Sequence, residues 1–505
     1  MKIVKTNYPR VFCAWNSCRV GGAALLLAIL PLHGHGQESI GTPSSKVERF
    51  NKAPVSREIL RVKLPRPVEA KLKNGLTVLI LEDQRAPYVT LQLHLAGAGA
   101  LFEPSDMAGL ANATALMLSE GTKSRSSVQI AEQIDRLGAG LSAGSPFGSP
   151  DAVLSASGLS DNFDEWFAVV VDVLLNPSFP ADELEKLKQR QRAHLLEQRS
   201  SSSFLITERF NRAVYGEHPA ARVSVTLDSL DKLNRDALVR WHRERYAPGQ
   251  AILGIAGDVR AKELIGKLEE RLAGWAKADV KQAWPRDPAP STVRRVLLVN
   301  RPNSVQTTLA FGNIAIDRRS PDYMPMVVMN YIIGGGASSR LFLNLREEKG
   351  YTYGVYSDFS ALRYPGPWRA GGNMRTEVTD GALTEFFVEF RRIRDEQVTP
   401  KELEASKRAI VASFALSLEQ PTRVLGFAIT RKQYGFPADY WDSYPARIMA
   451  VTAADVQRVA RKYLNLDTLQ IIAVGDASKI KRPLEQHGKV ESFDTNGTPL
   501  SAAQP

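Results

Sequence analysis

Cysteine is nearly absent: 505 residues contain two, Cys13 and Cys18, both close to the amino terminus. Disulfides and cysteine-held metals are thereby excluded as a framework, and the fold must be held by its hydrophobic core, which a chain of this length can supply. Histidine is also scarce, at seven residues. No pair after residue 36 among His94, His194, His218, His242 and His487 is three or four positions apart, so no helix presents two imidazoles on one face. No long apolar run is present either. The run Val20–Leu32 is interrupted by Pro31 and falls short of the ~20 residues that span a bilayer.

That run has another reading. Lys2, Lys5, Arg10 and Arg19 precede it without any acid, and the small residues Gly34 and Gly36 follow, which is the layout of a secretory signal. Cleavage near Gly36 predicts a mature chain starting at Gln37, free of cysteine, exported and, in a bacterium, periplasmic. The formal charge of +11 then falls to +7. The densest basic stretch, Lys186–Arg199, has helical spacing and interleaved glutamates, the pattern of a solvated helix face and not of a nucleic-acid surface.

Residues 37–65 are polar and read as an extended lead-in. A linker is expected over residues 277–292, where three prolines interrupt both periodic patterns, and residues 483–505 read as a flexible tail. Between these breaks, in 66–276 and 293–482, the chain repeats itself. Glu183–Glu185 opens a charged helical pattern that Glu402–Glu404 opens again, and Arg245-Tyr246 with Gly257-Asp258 is echoed by Lys462-Tyr463 with Gly475-Asp476. Offsets of 217 to 219 residues point to tandem duplication.

Each half is predicted to be an α+β domain, a mainly antiparallel sheet with helices packed on one face, the two forming half of a clamshell. In the first half, Leu76–Leu81 follows the turn dipeptide Asn74-Gly75 and is expected to pair with Val89–Leu95 as a hairpin. Helices are expected over 108–119, 128–137, 163–175 and 182–199, and a returning strand over Ala251–Ala256.

This order, with GlyLeuAla at Gly109–Ala111 and SerGluGlyThr at Ser119–Thr122, resembles the insulinase/pitrilysin zinc peptidases over about residues 66–480. In active members the helix after GlyLeuAla carries H-x-x-E-H, two histidines holding zinc and a glutamate activating water. Here those positions read Asn112, Ala113, Thr114, Ala115 and Leu116. Asn112 is a poor zinc ligand, Leu116 offers none, and Ala115 cannot take a proton from water. No metal is expected on this chain. The family's third ligand, a glutamate on a later helix, has Glu197 as its candidate remnant, expected here to be a surface or helix-pairing carboxylate.

The second half reads IleIleGlyGlyGlyAlaSerSerArgLeuPhe over Ile332–Phe342 and LeuArgGluGluLysGlyTyrThrTyrGlyVal over Leu345–Val355. The resemblance implies that Arg346 and Tyr353 contact substrate, an Arg fork and a phenol holding a peptide carbonyl opposite the metal. On the residues alone, Arg346 equally suits an ion pair with Glu347 or Glu348, and Tyr353 a packed strand position. Gly334, Gly335 and Gly336 are expected to form a substrate-contact loop where one helix ends, by close backbone approach or positive φ, with a serine of Ser338-Ser339 capping the next helix.

The function implied is a non-catalytic, substrate-binding subunit that closes around unfolded peptides with a homologous H-x-x-E-H-bearing partner, whose site holds the zinc. The alternative is an inactive homologue serving as assembly scaffold or peptide-binding protein. A self-sufficient serine hydrolase is disfavoured, because Ser200–Ser203 lacks a G-x-S-x-G elbow.

Overall fold

A computed structural model of the chain describes residues 58–500 apart from 59, 279, 281 and 282. The expected signal segment and most of the expected lead-in lie outside the described residues. Two six-stranded sheets form the framework. The first contains β1 (Val68–Lys71), β2 (Thr77–Glu82), β3 (Tyr88–Ala96), β4 (Gly140–Gly144), β5 (Asp151–Leu159) and β6 (Ala251–Gly257), side by side in the order β1-β2-β6-β3-β5-β4. The second contains β7 (Arg295–Asn300), β8 (Gln306–Ile316), β9 (Thr352–Ala361), β10 (Pro365–Arg375), β11 (Gln470–Gly475) and β12 (Val490–Phe493), in the order β12-β7-β11-β8-β10-β9.

Both sheets are mainly antiparallel, and the repeat is visible strand by strand. In each, the returning strand inserts parallel to the first long strand and antiparallel to the second: β6 between β2 and β3, β11 between β7 and β8. The expected hairpin of β2 with β3 is therefore not formed. β6 is buried along almost its whole length and takes the central place between them. The Asn74-Gly75 turn, with Gly75 at φ 96°, instead joins β1 to β2.

The first-half helices are α1 (Leu110–Leu116), α2 (Ser127–Arg136), α3 (Phe163–Leu175), α4 (Ala181–Ser200), α5 (Ser202–Tyr215), α6 (Leu227–Lys232), α7 (Arg235–Arg245) and α8 (Ala261–Arg271). The second half has α9 (Tyr323–Gly334), α10 (Thr379–Asp395), α11 (Pro400–Ser417), α12 (Pro421–Tyr434), α13 (Tyr444–Met449), α14 (Ala453–Tyr463) and α15 (Ala477–Glu485). Local chemistry sets their starts. Ser126 and Gln129 form a capping box before α2, Thr452 and Asp455 another before α14, and Thr399 caps α11 ahead of Pro400 in the first turn.

One face of each sheet packs on its own half's helices. Val78 and Ile80 of β2 join Trp166 and Phe167 of α3 in the first core, while Leu309 and Phe311 of β8 join Phe386 and Phe390 of α10 in the second. The opposite faces are not bare: each is covered by a helix from the other half. Leu205, Ile206, Phe210 and Val214 of α5 lie on Leu297, Val299, Ala310 and Ile472 of the second sheet. Reciprocally, Val424, Leu425, Ala428 and Ile429 of α12 lie on Leu79, Leu81 and Ala256 of the first. Each half thus packs its own helices on one face of its sheet, as expected, while α5 and α12, starting at equivalent positions of the repeat, exchange sheets to cover the other face. Glycine makes room in both places. A Cβ at Gly254 of β6 would sit 2.7 Å from Ile429 Cδ1, and one at Gly312 of β8 would sit 2.7 Å from Phe210 Cζ.

One further expectation changes. Val490–Phe493, placed in a flexible tail, forms β12 against β7, held by the Arg295–Glu491 ion pair and by Arg209 lying 3.6 Å from the Phe493 ring centroid. The expected linker carries no helix or strand in its described residues, yet Val280 is buried and Trp284 meets the edge of Phe102 at 5.2 Å.

Candidate functional site

The helix with the degenerate motif, α1, is short. Gly109 precedes it at φ 97°, where a Cβ would meet Val225 Cγ1 at 2.5 Å, so only glycine fits the entry. Glu103 holds the helix start: its carboxylate accepts the backbone N–H groups of Gly109 (3.0 Å) and Ala111 (2.6 Å). This residue is 6% exposed. Burial pushes its pKa up to about 7, against the pull of those N–H groups and of the Arg222 charge. No sequence pattern marks Glu103, because it reaches the helix start from six residues upstream and not from the cap or first-turn position.

At the motif positions the donor set does not fit zinc. Asn112 donates its amide to Ser145 O at 3.2 Å, Ala115 is buried against the core, and Leu116 packs beside it. The five later histidines have other surroundings. His94 lies 3.8 Å from Asp151, His194 lies 3.6 Å from Glu197, His242 lies 2.8 Å from Leu174 O, His487 stacks on Phe387, and His218 accepts the Ala220 N–H. Glu197 has a side chain 81% exposed on α4.

In the second half the retained motif comes together. After α9 the chain passes Gly334–Gly336 into a π-helical turn, Phe342–Glu348, which ends at Gly350 with φ 62°. That turn sends the chain back as β9, and Thr352 fixes the strand's start by donating to Asn373 O at 2.6 Å. Arg346 and Tyr353 consequently line one surface pocket of about 370 Å³, together with Gln306, Thr352, Asn373 and Arg375. Arg346 lies over the Phe342 ring and pairs with Glu347, as the residues alone allowed. Tyr353 is 92% exposed.

The three glycines are not among the residues lining that pocket. Gly334 is a point of close approach, where a Cβ would sit 2.4 Å from Ser357 N, and none of the three has positive φ. Nor does a serine cap the next helix. The Ser339 hydroxyl is buried without a hydrogen-bond partner.

A family model described as Insulinase (Peptidase family M16) matches residues 77–225, and one described as Peptidase M16 inactive domain matches residues 232–410. The chain belongs to the insulinase family. Within that family it is an inactive-type member, lacking the zinc-binding helix chemistry at 112–116. An uncharacterized zinc protease of Rickettsia bellii is 26% identical over 353 residues, 70% of this chain and 84% of that protein. A Helicobacter pylori protein described as the non-peptidase homolog YmxG is 22% identical over 408 residues, 80% of this chain and 93% of its own length. The crystal structure of a peptidase M16 inactive domain from Pseudomonas fluorescens superposes with a TM-score of 0.74 at 27% identity, covering 81% of this chain and 98% of that one.

Proposed function

We propose that this insulinase-family chain is the non-catalytic, substrate-binding subunit of a heteromeric zinc metallopeptidase, supplying Arg346 and Tyr353 to a partner that carries H-x-x-E-H. One observation carries the reading: Tyr353 stands 92% exposed in the same pocket as Arg346. A phenol so exposed adds little to the stability of its own fold, whereas it is well placed to donate to a carbonyl brought from outside. Arg346 can hold the same peptide's backbone by charge-assisted hydrogen bonds once Glu347 releases it.

The zinc belongs to the partner in this reading, and the peptide lies between the two subunits. Export through the leading basic and apolar segment places the assembly in the periplasm of a bacterium. Among the described residues no helix is long and apolar enough to cross a membrane. The second reading, a scaffold or peptide-binding protein without part in hydrolysis, draws on the Arg346–Glu347 pair, which occupies the guanidinium within its own chain.

Co-expression with an H-x-x-E-H-bearing homologue from the same genome separates the two. The pair should co-purify and cleave unfolded peptides, with activity lost when either chain is omitted. A partner fully active alone would leave the scaffold reading in place.

A further inference from the structure

The exposure of Tyr353 needs a cause in the backbone, because a side chain 92% exposed has little of its own chain to lean on. β9 is the edge strand of the second sheet, and among the described residues β10 is its one neighbour in the ladder. Near the start of β9 the register of that pair steps. Gly372 lies opposite Val355, but Met374 lies opposite Thr352, so Tyr353 and Gly354 together face Asn373 alone. This is a β-bulge, one extra residue in the edge strand.

Burial shows what the extra residue does. Thr352 and Val355 are 9% and 0% exposed, although they stand three apart and a regular strand would turn them to opposite faces. The bulge lets both be buried and leaves Tyr353, between them, standing out in the pocket with Arg346.

A bulge on an edge strand is gripped from one side only. Here the grip is the Thr352 hydroxyl. Its oxygen accepts the Gly354 N–H at 3.1 Å, and it donates to the Asn373 carbonyl at 2.6 Å, with the Gly354 carbonyl 2.9 Å away. One hydroxyl thereby ties the residues before and after Tyr353 to the strand across from them. Asn373 is a firm anchor, since its Oδ1 accepts the Thr308 hydroxyl of β8 at 2.8 Å. Just ahead of the bulge, Arg375 donates its backbone N–H to Tyr351 O at 3.4 Å and its Nη1 to Gly350 O at 2.8 Å.

We propose that Thr352 is a positioning residue for the Tyr353 phenol, its hydroxyl holding the bulge that aims the ring at the substrate carbonyl. The proposal rests on the part in hydrolysis given to Tyr353, and adds to it a residue whose hydroxyl is engaged within the fold. A donor displaced by about 1 Å loses much of its hold on a developing oxyanion, on a scale that reaches roughly 10²-fold in rate.

Steady-state kinetics of the chain reconstituted with an H-x-x-E-H-bearing homologue tests it, in a double-substitution cycle with Tyr353→Phe. Thr352→Val keeps the shape and removes the hydroxyl. It should lower kcat by about tenfold with KM changed by less than about twofold, and Thr352→Ser should keep the unaltered rate. In the Tyr353→Phe background, Thr352→Val should lower kcat by less than about twofold, since no phenol is left to aim. Thr352→Ala removes the same hydroxyl and takes the place of the valine variant if thermal unfolding shows that one not to fold. Three results overturn the assignment and spare the reading of Tyr353, provided that Tyr353→Phe alone still slows turnover: an unchanged kcat in the folded variant, an equal loss in both backgrounds, or a serine variant as slow as the valine one. A pair that is inactive, or that Tyr353→Phe leaves at full rate, removes the reading of Tyr353 and this assignment with it.

Discussion

Tyr353 and Arg346 occupy one pocket, but their proposed chemistry separates them. A phenol that donates mainly as the carbonyl becomes an oxyanion acts on the transition state, so Tyr353→Phe should lower turnover of the reconstituted pair by roughly 10²-fold with little change in peptide affinity. Arg346→Ala should weaken both, because a contact to the peptide backbone exists before and during reaction. Steady-state kinetics beside equilibrium binding of uncut peptide gives the split; a doubly substituted pair cleaving at the unmodified rate would end the trans-acting role. Glu103 carries a second residue-scale prediction. With its pKa raised to about 7 in the fold and near 4.5 unfolded, the folded state holds the extra proton between those values, so its contribution is present below pH 4.5 and lost as pH rises through 7. A shift of that size corresponds to roughly 3 kcal/mol. Urea unfolding at pH 5 and pH 8 should show the Glu103→Gln variant losing less stability across the interval than the unaltered chain. Equal losses would place the carboxylate in a more polar setting. Metal content tests the motif positions: dialysed mature chain should hold no stoichiometric zinc by elemental analysis, since Asn112, Ala115 and Leu116 supply neither ligands nor a base.

Elements were legible where one face is wet and obscure where both faces are dry. Amphipathic spacing and caps located α2 to α4 within a residue or so, because a solvated stripe marks the helical period. Arg346 and Tyr353 were legible too, as a local phrase that a single turn folds into one pocket. The β2–β3 pairing was misjudged for a physical reason. Leu76–Leu81 has no polar alternation, and a strand apolar on both sides needs two covers, the second of which is α12, far along the chain. Glu103 reaches its helix start through a loop and Arg222 faces it from far along the chain, and neither leaves a periodic trace. The exchanged helices give a prediction of their own. Gly312→Ala should destabilise more than Gly254→Ala, because the added methyl meets the Trp368 carbonyl at 2.2 Å besides Phe210, whereas at Gly254 it meets only mobile ends of Ile429 and Leu425. Overpacking of the second kind costs about 1–3 kcal/mol, and the first should exceed it. Denaturation midpoints that rank the two variants the other way would place the helices differently on their sheets.

For the whole molecule, the repeat suggests two domains joined by a linker, while the packing joins them as one body. The described residues fall within a single compact unit, and the four apolar residues of α5 that lie on the foreign sheet, at ~1.5–3 kcal/mol for each fully buried side chain, give neither half a reason to stand alone. That reciprocity has a consequence for the order in which the protein can come into being. Synthesis completes the first sheet at Gly257, yet the helix that covers its second face begins only at Pro421. Until Tyr434 has been made, the nascent product carries an oily sheet surface containing Leu79, Leu81 and Ala256, and α5 waits for a sheet that does not yet exist. Folding is therefore gated by the late arrival of one helix, a long-range closure of the slow and aggregation-exposed kind. A chain truncated anywhere between those points should expose that uncovered face and aggregate, not stand as a working half.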